Sequence, residues 1–215
     1  MGEVVSVVRC MAVAFLSLGL TACDSPPTST RTVAPQVVAQ VPAPLPINVR
    51  EIRVLVPEAL SVSEANLFYP VGDIVWREDP PGDRRAQVRT IFARAMKQGV
   101  AALPKGSIPV ILDVQVTRFH ALSEKARYTV GGVHALQFYY VLRNPETGEA
   151  YGAPKFVKAD FKALGGQAAI DAERTGITQK KRITEHLAQV IQDELRDPDG
   201  YHAEALGLIG ALNQL

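Results

Sequence analysis

Val110-Ile111-Leu112-Asp113-Val114-Gln115-Val116-Thr117 is the stretch whose reading decides the fold. Val110, Leu112, Val114 and Val116 fall on one face at period two, while Asp113, Gln115 and Thr117 fall on the other, the mark of a half-buried strand. One wet sheet face argues for helices packed on the opposite face only, and for an antiparallel sheet over a doubly wound one. The partner strand is read from about Val133 to Arg143, with Leu136, Phe138, Tyr140 and Leu142 sharing a face. Asn144-Pro145-Glu146-Thr147-Gly148 has strong turn chemistry. A last strand near Pro154 to Ala163 closes a three-stranded meander.

On the N-terminal side, Ile52, Val54 and Val56 alternate with Glu51 and Arg53, a strand ended by Pro57. A short second strand is expected at Val71–Trp76. Asp83 is placed to cap a helix from Arg84 to about Leu103, whose stripe is Val88, Ile91, Phe92, Ala95, Met96 and Val100. Ala121–Thr129 reads as a hairpin connection or an extended strand end. Gln167 to about Arg174 suits a short helix stopped at Gly176. A longer helix follows Thr178, with the stripe Ile183, Leu187, Val190, Ile191 and Leu195, and stops at Pro198. The expected fold is α+β, a two-layer sandwich with a mostly antiparallel sheet of about five strands and two main helices on one face.

Lys and Arg number 23 against 22 Asp and Glu, a net charge of +1, which argues against nucleic acid as a partner. The only cysteines are Cys10 and Cys23. Everything beyond residue 23 therefore lacks disulfides, thiolate metal sites and cysteine nucleophiles. The histidines His120, His134, His186 and His202 show no metal-ligand spacing, and neither a metal nor a cofactor is expected.

Ahead of Cys23 runs the apolar segment Cys10–Leu20, preceded by Arg9 and followed by the small residue Ala22. It is too short to span a bilayer, which takes about 20 residues, and has the layout of an export signal. Leu20-Thr21-Ala22-Cys23 resembles the lipobox of bacterial lipoproteins. That resemblance implies removal of residues 1–22 and conversion of Cys23 into a lipidated N-terminus bearing acyl chains such as palmitate. Residues 23–47, rich in proline, then form a tether, about 25 to 30 Å long as coil and about 75 Å as polyproline II. Residues 48–198 form the α+β domain and 199–215 a C-terminal helix or tail.

Two further stretches, Phe119-His120-Ala121-Leu122 through Ala126–His134 and Gly165-Gly166-Gln167 through Glu173–Thr178, are similar to an uncharacterised family of alphaproteobacterial lipoproteins known only as a domain of unknown function. The resemblance implies no activity. It implies a lipid-anchored protein of the cell envelope, on the cell membrane or the outer membrane, with its domain in the periplasm. The expected role is non-enzymatic binding or adaptation, with the membrane as one partner through the anchor and an envelope protein or lipid as another.

Candidate partner-binding residues are Trp76, Arg127, Tyr128, Gly131, Gly132 and His134. Arg127 and Tyr128 offer a cation and an aromatic face. Gly131-Gly132 marks either a close backbone approach or a twisted hairpin relieved of strain. The alternative function is a periplasmic hydrolase or carbohydrate-active enzyme that uses the acidic loop Asp73, Glu78, Asp79 and Asp83 around Trp76. Turn and cap roles account for the same carboxylates.

Overall fold

The computed structural model describes residues 46–197, 199–203 and 205–206. The expected signal, Cys23, nearly all of the tether, and Pro198 with most of the C-terminal stretch lie outside them. In order, the elements are β1 (Ile47–Leu55), β2 (Val62–Ser63), β3 (Ile74–Val75), α1 (Arg84–Ala101), β4 (Ile108–His120) and α2 (Glu124–Arg127). There follow β5 (Gly132–Arg143), β6 (Lys155–Lys158), β7 (Phe161–Ala163), α3 (Gln167–Arg174) and α4 (Gln179–Arg196).

The expected β4–β5 pair is the spine, antiparallel from Ile111↔Arg143 to His120↔Ala135. Its inward row, Val110, Leu112, Val114, Val116, Leu136 and Phe138, is buried. A bulge between Val116 and Arg118 corrects the alternation, so that Phe119 enters the core where strict period two would have brought Arg118 inward. Helices α1 and α4 lie on this inner face. Val88, Ile91, Phe92, Ala95 and Met96 meet Ile183, Leu187, Val190 and Ile191 in one hydrophobic cluster. The two caps are as the sequence implies, with Asp83 accepting from Ala86 N–H at 3.0 Å and Thr178 from Lys181 N–H at 3.2 Å.

Three expectations are corrected. Among the described residues the sheet has seven strands instead of about five; it is mostly antiparallel, as expected, through the pairs that β5 makes, but β1–β4, β2–β3 and β3–β4 are parallel. The connection from β1 to β4 carries α1, which is the length of crossover that a parallel pair requires. The strand near Pro154 to Ala163 is two strands, both paired to β5, because the Asp160 carboxylate takes the Leu136 N–H at 2.9 Å and interrupts the ladder. Val71 is 90% exposed, and the expected second strand shrinks to Ile74–Val75. With β1 and β3 sharing one edge of β4, β6 and β7 sharing one edge of β5, and α2 and α3 at one end, the architecture is not a plain two-layer sandwich of five strands. Among the described residues no helix is long and apolar enough to cross a membrane.

Candidate functional site

The sequence-selected residues meet where β4 ends and β5 begins. Ser123 starts this corner by capping α2, accepting from Ala126 N–H at 3.2 Å and donating to Leu67 O at 2.6 Å. Ala121–Thr129, expected as a hairpin connection or an extended strand end, is the connection between β4 and β5 and contains one helical turn that ends on Arg127 and Tyr128. Gly131 and Gly132, at φ of +75° and +152°, swing the chain into β5. A methyl on Gly165 would overlap the Gly131 backbone, so the paired glycines of two loops mark a close main-chain crossing.

Arg127 is buried, with its guanidinium bridging Glu78 at 3.1 Å and Glu173. Glu78 also accepts the Lys180 backbone N–H, at 3.0 and 3.1 Å to its two oxygens, at the start of α4. Tyr128, 43% exposed, donates its hydroxyl to Glu173 at 3.1 Å. One cation thus ties together the acidic loop, α2, α3 and α4.

Trp76 is fully buried, edge-on to Phe119 at 5.6 Å, and its Nε1 donates to Asp79 at 2.9 Å. Asp79 also takes Lys180 Nζ at 2.7 Å. Burial of Asp79 opposes ionisation, but the hydrogen bonds from Lys180 and Trp76 outweigh it and hold the carboxyl below its ordinary range. That is the state of an ion-pair partner, whereas a general acid needs the opposite shift. Asp73 accepts the Ser61 N–H at 2.8 Å and hydroxyl at 2.7 Å, and Asp83 is the α1 cap. The cavity bordered by Arg127, His134, Glu173, Gln179 and Arg182 is about 10 Å³, the room one water takes. Among the described residues, no group of three His, Cys, Asp or Glu side chains could hold a metal.

His134 is 1% exposed and packs on Phe161, ring centroids 4.9 Å apart. Trp76, Arg127 and His134 were expected to face a partner, and they face the interior instead. Burial holds His134 neutral well below its usual range, reinforced by Arg182, Arg127, His186 and His120. His120 is lowered too, first by burial, while its Nε2–H donates to Pro70 O at 2.8 Å. The unfolded chain would bind protons below about pH 6.5 that the folded one refuses, so stability should fall as pH drops from there toward 5. Each such histidine contributes a slope of up to about 1.4 kcal/mol per pH unit. Urea unfolding between pH 7.5 and 5 checks this. His134→Asn should flatten the slope, and an identical slope in the variant would assign the effect elsewhere.

The outer sheet face is open at Gln115, Tyr139 and Phe156, while Ile111 and Val141 on the same face are buried. A groove of about 410 Å³, lined by Arg53, Leu55, Asp113, Gln115, Tyr139 and Arg143, crosses it, with Asp113 and Arg143 paired at 2.7 Å. More pronounced is a feature that strand and motif reading missed. Leu67, Phe68, Tyr69 and Val71 are 53, 40, 66 and 90% exposed in the loop ahead of β3, at the same end as Tyr128, Val130 and Ile177. Five consecutive apolar residues, Leu67–Val71, between the turn formers Asn66 and Gly72 were the available signal, since such runs on a surface are errors unless functional.

No curated protein matches the sequence. Among solved structures, a candidate lipoprotein of Caulobacter crescentus CB15 is 13% identical, covers 67% of this chain and 86% of its own, and has a TM-score of 0.35. An uncharacterized protein is 19% identical over 70% of this chain and 90% of its own, with a TM-score of 0.32. A PelC dodecamer from Paraburkholderia phytofirmans is 14% identical over 68% and 91%, with a TM-score of 0.25. The model of a family of unknown function, DUF6778, matches residues 47–211, which takes in the whole described domain and most of the sequence. The chain belongs to the DUF6778 family.

Proposed function

We propose that this is a lipid-anchored envelope protein whose domain faces the periplasm and acts by binding, without catalysis. The observation that carries the reading is Leu20-Thr21-Ala22-Cys23 at the end of an apolar run too short to span a bilayer. The chain beyond it supports the reading in two ways. It contains no other cysteine to compete for modification, and a proline-rich stretch separates Cys23 from Ile47, where β1 begins. Two or more acyl chains hold a protein stably to a membrane, whereas one does so only marginally.

A binding role is favoured over hydrolysis by how the charged groups are used. Around Trp76, Glu78 is taken by Arg127 and the α4 amide, and Asp79 by Lys180 and the indole. Among the described residues, the carboxylates around Trp76 are thus committed to structural partners, while Leu67, Phe68, Tyr69 and Val71 stand exposed nearby.

Cys23→Ser should move the protein from the membrane fraction to the soluble fraction, and metabolic labelling with a fatty acid should mark the native chain alone. A serine variant that stays membrane-bound and labelled would overturn the anchor.

A further inference from the structure

We infer that the Leu67–Val71 loop is a second membrane contact, a fixed apolar tip that enters the interfacial region of the bilayer to which Cys23 tethers the domain. The inference rests on the anchor reading and adds the surface that meets the lipid.

The loop is held in place by buried Pro70 and by its backbone, which leaves the side chains of Leu67, Phe68, Tyr69 and Val71 outward. Pro70 O accepts from His120 at 2.8 Å, Leu67 O from the Ser123 hydroxyl at 2.6 Å, and the Asn66 side chain takes the Lys125 N–H at 2.8 Å. A tip fixed before contact loses little conformational freedom on insertion. Its chemistry is that of a membrane interface, with Phe68 and Tyr69 presenting ring bodies and Lys125 lying 4.6 Å above the Phe68 ring, able to keep its ammonium in the headgroups while its stem follows the ring. Val71, at 90% exposure, is a convex point with no cradle around it. A fluid phase accepts such a shape, whereas a protein partner would need a matching pocket.

Lys125 apart, the arginines near the tip are already paired. Arg77 binds Glu124 and Glu64, Arg84 binds Glu64 at 2.6 Å, and Arg127 binds Glu78 and Glu173. Insertion is therefore driven by apolar burial and depends only weakly on anionic lipid or salt.

The tether permits the geometry. The tip sits at the His120 end of β4, and the chain enters at the Ile47–Ile108 end, a strand length of about 40 Å away. Twenty-three residues separate Cys23 from Ile47, and a polyproline II chain of that length would span about 70 Å, enough for the tip to meet the bilayer. Tethering also raises the tip's effective concentration at the membrane to the millimolar range, where a weak contact is populated.

The test is hydrogen exchange on the full lipidated chain in phosphatidylcholine vesicles, compared with the Cys23→Ser chain free in buffer. Amides of residues 66–69 and 71 should exchange about fivefold or more slowly on vesicles, at low and high salt alike, while the Asn144–Glu149 hairpin at the other end stays unchanged. Phe68→Ser combined with Val71→Asp should restore fast exchange without releasing the lipidated protein. Unchanged exchange at residues 66–69 and 71 on vesicles would overturn the tip, as would slowing that appears only after envelope protein is added. Intact mass reports the anchor separately. If Cys23 carries no lipid, the anchor reading fails, and exchange of the unmodified chain at saturating vesicle concentration then decides the tip alone.

Discussion

Arg127→Leu should lower the unfolding free energy by about 3 to 5 kcal/mol, the cost of removing one partner from a buried ion pair. The side chain is 8% exposed, and Glu78 and Glu173, which it bridges, are themselves 16 and 27% exposed. Leucine fills the space but leaves two carboxylates facing each other without the cation between them. Glu78 keeps the Lys180 amide and Glu173 keeps the Tyr128 hydroxyl, so neither is abandoned entirely. Those bonds do not replace a full charge. Arg127→Lys should recover little, because a single ammonium cannot span two carboxylates as a planar fork does. Adding Glu78→Gln and Glu173→Gln to the leucine variant should return more than half of the loss. Chemical denaturation of the four proteins measures this, and a leucine variant as stable as the parent would show that the bridge contributes nothing net.

Gly99→Ala should cost at least about 3 kcal/mol, although alanine is the better helix former by about 1 kcal/mol. Gly99 lies where α1 crosses α4, and a methyl there would overlap the Ala188 carbonyl oxygen and Cγ2 of Ile191. The first of these is backbone inside a helix and cannot turn aside. The helices must separate, and Met96, Leu187 and Ile191, all fully buried, lose contacts with them. Gly148→Ala is the contrast, since nothing lies within 4 Å of a methyl there and only the positive φ of +74° opposes it. Thermal unfolding should show a much larger drop for the Gly99 variant. Equal drops would mean that the helix crossing is looser than its geometry implies.

The parts of the fold legible in the sequence are those with a strong period and an explicit stop. The 110–116 alternation, both long helices and their caps at Asp83 and Thr178 fall in this group. Each is decided by neighbours within a turn or two. The parallel pairing of β1 with β4 was hidden because alternation reports which face is wet and says nothing of direction, so the α1 crossover was the better clue. The split of the last strand at Ala159–Asp160 depends on a carboxylate reaching across to Leu136, which no local pattern encodes.

The candidate site was half legible. Arg127, Tyr128 and the Gly131-Gly132 pair were marked by residue type, and they do lie together. Whether a cation or an indole faces water depends on which distant carboxylate meets it, and Glu78, Glu173 and Asp79 arrive from other elements. The exposed run Leu67–Val71 went unmarked because its residues are apolar, and apolar residues are expected inside.

The parallel union of β1 with β4 also sets the order of assembly. Ile47 pairs with Ile108, so during synthesis β1 has no partner until about sixty more residues have emerged from the ribosome. Its long main-chain edge stays unsatisfied through that interval, an invitation to mispairing with other nascent chains. β4 and β5, joined by a short corner, can form their hairpin without waiting. β1 then docks late, and a chaperone acting on the emerging chain would have its greatest effect on that strand.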